Sequence, residues 1–373
     1  MRSKLADEMG LEFPVFAFTH CRDVAAAVSK AGGLGVLGVA GHSLENLRME
    51  LEWIANQVDG KPFGVDLLLP TKFAGSDRGG FDASQLDDRI PEEHRKFLDD
   101  LLAQHDVPPL PEGTKLAREL SVGFEQQRDV IELVFEHPIA LIASALGPPP
   151  EWMIEQGRAR GIKVAALAGT VEHARRHAAA GVDLVVAQGY EAGGHTGQVA
   201  TMVLVPEVVD AVDPIPVLAA GGIGNGRQLT AALALGAQGV WTGSVWLTTE
   251  EAETHPVVKE KFLRASSSDT VRSRSLTGKP ARQLRSAWTD AWDDPSNPDP
   301  LPMPLQPRLV REAQARISRS AHKSAGAEQL ANYFVGQIVG SLNHTKSVRT
   351  VMEEFAQEYA DTMERLDQWA EGS

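Results

Sequence analysis

The sequence predicts an α/β fold, specifically a (β/α)8 TIM barrel that carries two additions. Short apolar runs alternate with helical patterns through the first 265 residues, and eight such runs occur. Repeated strand–helix units of that number favour a closed parallel barrel over a doubly wound sheet. Glycine-rich turns follow the sixth, seventh and eighth runs. Those turns would meet at the carboxyl ends of the strands, where barrel enzymes build their active sites.

The predicted strands are short and mostly apolar, as expected for strands covered on both faces. In chain order they are Phe13–Phe18, Leu34–Leu37, Pro62–Leu69, Ala140–Ala143, Lys163–Leu167, Val182–Val186, Val217–Ala220 and Gly239–Thr242. Apolar residues at helical spacing predict helices between them. These helices are Arg22–Ala31, Leu44–Gln57, one from about Glu151, Val171–Ala180 and Arg227–Leu235.

Two regions interrupt this alternation. Residues 70 to about 127 are polar and proline-rich, with a predicted helix at Pro91–Gln104, and form an insertion after the third strand. If the insertion lies over the active-site face it could act as a lid. After residue 265 the barrel pattern stops, which predicts a barrel domain of residues 1–265 and a second region of residues 266–373. That region should hold an extended linker and three helices, namely Asp293–Pro307, then Arg308–Ser320, Ala325–Leu342 and Ser347–Gln368.

Composition narrows the class of protein. The 36 basic and 50 acidic residues give a formal charge of −14, which argues against a nucleic-acid or anionic-membrane partner. A single cysteine, Cys21, excludes an intrachain disulfide and a multi-cysteine metal site. No apolar run has the length of a membrane span and residues 1–12 lack a signal-peptide core, so we expect a cytoplasmic protein. Composition does not determine the oligomeric state, and a homo-oligomer is compatible with it.

The most informative segment follows the sixth predicted strand. It runs from Ala187 to Gly197 and places His195 within a turn that contains four glycines. Glycine permits positive φ and lets the backbone approach a ligand closely, and histidine can transfer a proton near neutral pH. A flat or phosphorylated ligand above this turn is one interpretation. A tight turn with a solvated histidine is the other, and the segment alone does not decide between them.

Glycines also end the seventh and eighth predicted strands. Ala220-Gly221-Gly222-Ile223 follows one strand, and Gly243-Ser244 follows the other. The loops after strands seven and eight of a barrel often bind phosphate through exposed N–H groups and a helix N-terminus. Tight turns alone would explain each loop separately. Their joint occurrence at these two strands favours a phosphate site.

Seven segments of the chain together match the pattern of one enzyme family. They are Ala25–Gly35, Lys61–Leu67, Gln188–Gly189, Glu191–His195, Ala220–Ile223, Ala231–Ala237 and Thr277–Arg282. In these segments the chain resembles the nitronate monooxygenases, formerly called 2-nitropropane dioxygenases, which are FMN-dependent barrel enzymes. The resemblance covers about residues 10–70 and 138–285, and the Glu-Ala-Gly-Gly-His block joined to the later Gly-Gly block is its most specific part.

The resemblance implies a set of site residues. The FMN phosphate and ribityl chain would lie on Gly193, Gly194, Gly221, Gly222, Gly243 and Ser244. Gln188 would lie close to the cofactor, and His195 would face the substrate beside the flavin ring. His195 would then take the α-proton of a nitroalkane or bind its nitro group, while the flavin carries the redox chemistry with O₂.

Two segments depart from the family pattern. This chain has Asp66 where many relatives have asparagine, so Asp66 would lie at the pyrimidine edge of the flavin. A carboxylate there disfavours an anionic reduced flavin unless it is protonated or turned away. At the first strand, Phe16–His20 replaces an Ala-Pro-Met stretch. Both differences bear on the substrate more than on the cofactor.

Other residues have a structural explanation that is at least as good as a functional one. His20 would line the same cleft or remain a loop histidine, and Arg227 would reach phosphate or stay solvated. Cys21 has no identified base and should be inert. His173 and His177 share a helix face but lack the glutamate of a zinc motif, so no metal site is predicted. Glu191 should bind backbone N–H groups of its turn, and the tryptophans Trp241 and Trp246 should be packing residues.

The leading hypothesis is therefore an FMN-dependent oxidoreductase that oxidises nitronates or nitroalkanes with O₂. An NAD(P)H:quinone or enoyl reductase on the same fold is the near alternative. A lyase or isomerase that acts on a phosphorylated substrate without flavin, and a barrel that has lost catalysis, are alternatives from other classes.

Overall fold

A closed barrel of eight parallel strands forms the centre of the protein, as predicted. The computed structural model describes residues 3–70, 86–114, 116 and 124–371, and of residues 124–126 only the backbone. The strands, in chain order, are β1 (Val15–Thr19), β2 (Leu34–Gly38), β3 (Phe63–Leu68), β4 (Leu141–Ala145), β5 (Lys163–Ala168), β6 (Leu184–Gln188), the two-residue β7 (Gly194–His195), β8 (Val217–Ala220) and β9 (Gly239–Thr242). Of these nine strands, β7 alone lies outside the barrel, which closes where β1 pairs with β9.

Helices surround the barrel and cover one end of it. They include α1 (Lys4–Glu8), α2 (Arg22–Lys30), α3 (Leu44–Gln57), α4 (Glu92–Gln104), α5 (Phe124–Phe135), α6 (Glu151–Arg160), α7 (Val171–Ala180), α8 (Thr201–Val212) and α9 (Gly226–Ala234). Side-chain caps explain several helix starts: Ser43, Thr170 and Asn225 each accept a hydrogen bond from the N–H three residues later. Leu5 of α1 packs with the residues inside the barrel. The end of the barrel at the carboxyl ends of the strands is therefore the one at which a functional site can form.

A second hydrophobic cluster lies beside the barrel core. It joins α4 of the insertion to α10 (Pro256–Arg264), α11 (Ala287–Asp293), α12 (Leu305–Ser320) and α13 (Ala325–Leu330). Leu98, Leu101 and Leu102 of α4 lie in one cluster with Trp288, Trp292 and Leu309. The predicted helix in the insertion is confirmed, whereas most of residues 70–85 and 117–123 fall outside the described part of the chain. The domain division at residue 265 and the lid stay predictions.

The third segment of the C-terminal region differs from its prediction. The prediction of a continuous helix over Ala325–Leu342 is wrong. The helix α13 ends at Leu330, and a 3₁₀ turn follows only at Gln337–Ser341. Between them the chain is extended, and Phe334 pairs with Gln283. At the end of α13, the ammonium of Lys261 donates hydrogen bonds to the carbonyls of Glu328 and Ala331. These tertiary contacts override the local helical pattern.

Five helices (α1, α5, α8, α10 and α11) and one small sheet were not foreseen in the sequence. The helix α8 contains Pro206 and a run of β-branched residues, which hid its helical pattern. A small antiparallel sheet in the order β10-β11-β7 is formed by β10 (Thr270–Ser273), β11 (Ala281–Leu284) and β7. The last helix, α14 (Val348–Glu371), packs on α9 and α2 and begins one residue after its predicted start. Among the described residues, no helix is both long and apolar enough to cross a bilayer.

Candidate active site

The loop after β6 is held in place by its own polar groups. Glu191 accepts hydrogen bonds from the backbone N–H and the hydroxyl of Thr201 at 3.0 and 2.8 Å, where α8 begins. Thr196 donates to the carbonyl of Gly189 at 2.7 Å and closes the turn. A side chain at Gly189 would collide with Thr201, because its Cβ would lie 2.1 Å from the hydroxyl oxygen. Glu191 therefore binds a backbone N–H, as predicted, but this N–H belongs to Thr201 at the start of α8 and not to the turn that contains Glu191.

His195 is the side chain that this loop presents. It lies in β7 opposite Ala281 of β11, and its Nδ1 is 3.3 Å from the carbonyl oxygen of Pro280. Because a carbonyl only accepts, Nδ1 carries the proton in this contact and Nε2 keeps its lone pair. Burial, and after it the charge of Lys279, lowers the pKa of His195 to about 4. At neutral pH the ring is uncharged and able to accept a proton or a hydrogen bond at Nε2.

The histidine lines a cleft rather than the solid interior. His195 remains partly exposed, and yet desolvation is the main cause of its lowered pKa. Tyr333 shows the same combination: it is 37% exposed, and burial raises the pKa of its phenol. Phe334 connects the two, with ring centroids 6.4 Å from His195 and 5.4 Å from Tyr333. Desolvated groups that still contact solvent are typical of a concave surface, so the C-terminal region forms one wall of the cleft.

His20 belongs to the same end of the barrel. It follows β1, and its Nδ1 lies 2.9 Å from the carbonyl oxygen of Gly38 at the end of β2. The side chain of His20 contacts solvent, but the protein atoms around its ring desolvate it and so lower its pKa. His42 lowers the pKa of His20 further, by a smaller amount. The structure therefore places His20 at the barrel mouth, where it could line the cleft.

The glycine-rich loops after β8 and β9 have left-handed or open backbone. Gly221 and Gly222 have φ of +98° and +71°, which side-chain-bearing residues rarely adopt. Gly194 also has a positive φ, of +71°, but a Cβ there would meet nothing within 4 Å, and a Cβ at Gly243 would meet only Phe18, at 3.8 Å. The backbone at Gly194 and Gly243 therefore borders open space that a ligand could fill.

Ser244 connects this end of the barrel to the C-terminal region. Its hydroxyl accepts a hydrogen bond from the N–H of Gly336 at 2.7 Å and retains its own proton for a further acceptor. Gly193 also contacts Gly336, since a Cβ at Gly193 would lie 2.7 Å from that nitrogen. The residues around Gly336 thus lie between the loops after β6 and β9. Gly336 was not foreseen as a site residue, although the glycines at 336 and 340 inside a predicted helix indicated that the helix is interrupted.

Gln188 and Asp66 face the barrel mouth from β6 and β3. The Gln188 amide makes no hydrogen bond with the described residues and is partly exposed. Asp66 is only 6% exposed, and its Oδ1 has no hydrogen-bond partner in the described structure. Burial raises the pKa of Asp66 to about 7, although a hydrogen bond from the backbone of Leu67 acts against the rise. A buried carboxyl with one unused oxygen is suited to a polar ligand atom.

A cavity of about 380 Å³ lies next to the Gly221–Gly222 loop. Ala219 and the α9 residues Ala231 and Ala232 line it. Ala219 belongs to the cluster outside the barrel, whereas Ala220 belongs to the cluster inside it. The cavity therefore reaches the outer side of the barrel wall, between the Gly221–Gly222 loop and α9.

The remaining candidates have structural roles. Burial raises the pKa of the Cys21 thiol, which donates to the carbonyl of Glu251. The thiol is therefore a poor nucleophile. His177 is buried, and its Nε2 contacts the carbonyl of Leu167. Trp241 and Trp246 are buried, as predicted. Arg227 is exposed in the first turn of α9.

Comparison with known proteins identifies the family. The family model described as nitronate monooxygenase matches residues 3–358. The chain belongs to the nitronate monooxygenase family. This confirms the resemblance inferred from the sequence and makes the protein an oxidoreductase with a small-molecule substrate. The match also extends to residue 358, beyond residue 285, where the resemblance found in the sequence ended.

Relatives and solved structures agree with this family. The chain is 59% identical over 98% of its length to a Mycobacterium tuberculosis protein that is named as a monooxygenase, of which it covers 98%. It is 32% identical to a protein of Staphylococcus saprophyticus named as a nitronate monooxygenase, over 84% of this chain and 88% of that one. Nitroalkane oxidase from Streptomyces ansochromogenes superposes with a TM-score of 0.79 at 26% identity, over 97% of this chain and 99% of the other. FabK from Thermotoga maritima gives a TM-score of 0.74 at 28% identity, over 99% of both chains.

Proposed function

We propose that the protein binds FMN at the carboxyl end of the barrel and oxidises nitronates with O₂. The placement of His195 supports this most directly. A carbonyl holds its Nδ1, its Nε2 is unprotonated, and it stands at a cleft beside glycines whose backbone borders open space. When bound, the flavin would accept an electron from the nitronate and pass it to O₂.

The residues present fit FMN in two respects. Open space at Gly194 and Gly243 would receive the phosphate and ribityl chain, together with Gly193, Gly221, Gly222 and the free hydroxyl proton of Ser244. The unused oxygen of Asp66 and the free amide of Gln188 would meet the polar edge of the ring system. With a pKa of about 7, Asp66 can hold a proton at neutral pH and donate a hydrogen bond to a ring acceptor. The repulsion expected of an ionised carboxylate then does not arise.

The lowered pKa of His195 favours nitronates over neutral nitroalkanes as substrates. A base with a pKa of about 4 has little driving force to remove the α-proton of a neutral nitroalkane. A nitronate has already lost that proton and needs no base. Its negative charge would also favour a proton on Nε2, which would then donate to a nitronate oxygen. We therefore propose nitronates, rather than neutral nitroalkanes, as the preferred substrates.

Cofactor identification tests the proposal. The purified protein should have the visible spectrum of a flavin, and denaturation should release FMN. Anaerobic addition of ethyl nitronate should bleach the flavin faster than addition of neutral nitroethane at the same concentration. A protein that carries no flavin and binds none from added FMN would refute the proposal. Fast bleaching by NADH or NADPH, with none by nitronate, would favour the reductase alternative.

A further inference from the structure

The hairpin beside His195 is unusually basic for this protein. Residues 270–284 contain Arg272, Arg274, Lys279 and Arg282 and no acidic residue, within a chain of formal charge −14. The hairpin includes β10 and β11, and β11 pairs with the strand that carries His195. Positive charge is therefore concentrated on one side of the cleft.

The three arginines of this hairpin have structural partners. Arg282 is buried, donates to the carbonyl of Tyr190 and lies 4.3 Å above the Tyr190 ring. Arg272 donates to the carbonyl of Thr196 at 3.2 Å. Arg274 donates to the carbonyls of Gly278 and Pro300. Arg272 and Arg282 fix the hairpin against the loop after β6, and Arg274 fixes it against Pro300.

Lys279 differs from the arginines. Its side chain is partly buried, and its ammonium has neither a hydrogen bond nor an ion pair with any residue that the structure describes. Burial lowers its pKa, and no acidic group acts against this. It directly precedes Pro280, whose carbonyl contacts His195, and its charge contributes to the lowered pKa of His195. A partly desolvated cation without a counter-ion, next to the reacting side chain, is suited to an anionic ligand.

The backbone of Lys279 is held rigidly. The Thr277 hydroxyl accepts from the N–H of Lys279 and donates to its carbonyl. Gly278 has a φ of +77°, and a Cβ there would lie 2.1 Å from the carbonyl oxygen of Leu301. The turn therefore permits only glycine at 278 and fixes where the lysine side chain begins, so little ordering is needed when a ligand binds.

We infer that Lys279 is the substrate-binding cation of this cleft and contacts the negatively charged oxygens of the nitronate. This inference rests on the proposed function. The ring of His195 is neutral before the substrate binds, and Lys279 supplies a positive charge that a neutral nitroalkane or quinone would not need. Lys279 thereby adds to the preference for anionic substrates.

Nitrate tests this inference because it is a planar anion with oxygens arranged like those of a nitronate, and it does not react. Nitrate binding to the FMN-loaded protein is measured by calorimetry and by the flavin difference spectrum. The variants are Lys279→Met, Lys279→Arg and the control Lys61→Met. Lys61 pairs with Glu12 at 2.7 Å and lies two residues before the start of β3, at the other end of the barrel.

Lys279→Met should weaken nitrate binding and raise the KM for ethyl nitronate roughly tenfold to a hundredfold, the loss expected for one charge-assisted hydrogen bond. FMN content should stay at the wild-type level. Lys279→Arg should retain most of the nitrate affinity, and Lys61→Met should retain all of it. Unchanged nitrate affinity in a Lys279→Met protein that holds FMN would overturn the inference. So would an equal loss in Lys279→Met and Lys279→Arg.

The two proposals can fail separately. A wild-type protein without flavin, or without nitronate oxidation, refutes the proposed function. Nitrate calorimetry on that same protein still reports whether Lys279 binds an anion. Normal nitronate oxidation with unchanged parameters in Lys279→Met refutes the role of Lys279 alone.

Discussion

Replacement of Asp66 by asparagine should stabilise the protein at pH 8 and not at pH 4. The carboxyl is 6% exposed, one of its oxygens has no hydrogen-bond partner among the described residues, and burial raises its pKa from 3.8 to about 7. Because the folded-state pKa lies above the unfolded value, the protonated carboxyl stabilises the fold at acid pH. That stabilisation is lost as the pH rises from about 4 through about 7. The asparagine side chain would have nearly the same shape and no charge to bury.

The size of the effect follows from the pKa difference. A rise from 3.8 to about 7 is about 3 pKa units, or roughly 4 kcal/mol of folding free energy at 1.36 kcal/mol per unit. A chain of 373 residues has an unfolding entropy of about 0.8 kcal/mol/K. The Tm of Asp66→Asn should therefore exceed that of the wild type by about 5 °C at pH 8.

Thermal unfolding of the flavin-free protein between pH 4 and pH 8.5 measures this difference. The control is Asp210→Asn, because Asp210 lies exposed on α8 and its substitution should move Tm little at any pH. A Tm difference between Asp66→Asn and wild type that is constant across this range would refute the reasoning. It would mean that Asp66 contributes through packing or hydrogen bonding and not through its ionisation.

The other predictions concern the cleft. His195→Asn should lower kcat/KM for nitronate on the order of a hundredfold and leave FMN content unchanged, as steady-state kinetics and flavin quantification would show; equal loss of both would indicate a structural role. Gly221→Ala should lower Tm in differential scanning calorimetry, because its φ is +98° and its Cβ would lie 3.0 Å from the Gly189 carbonyl oxygen, a strain of about 1–3 kcal/mol. Gly243→Val should leave the Tm of the flavin-free protein nearly unchanged but weaken FMN binding at least tenfold in fluorescence titrations, since its side chain would enter the open space. FMN affinity equal to wild type in Gly243→Val would argue that the cofactor lies elsewhere.

Local sequence was enough for the barrel because each strand carries its own signal. Runs such as Val217–Ala220 and Gly239–Thr242 are largely apolar, which is expected of strands covered on both faces, and the structure confirms both. Helix starts were also readable where a capping residue precedes them, as at Thr170 before α7. The α8 helix was missed because Pro206 and β-branched residues obscure its period.

Elements that depend on distant partners were less predictable. The extended chain around Phe334 looked helical in the sequence, and its conformation is decided by pairing with Gln283 and by the bond from Gly336 to Ser244. No local pattern indicates that Tyr333 and Phe334 form a wall of the cleft. Their position follows from residues that are far apart in the chain.

The sequence by itself determined the fold class, the family and the identity of the loops at the barrel mouth, because apolar periodicity and glycine position are local properties of the chain. Only the tertiary structure decided the charge states within that mouth. His195 is neutral because it is desolvated and lies beside Lys279, and these two effects outweigh its hydrogen bond to the Pro280 carbonyl, which favours the charged ring. Asp66 can hold a proton because the barrel buries it without a counter-ion among the described residues. A pKa depends on everything that surrounds the group, and those surroundings exist only once the chain has folded.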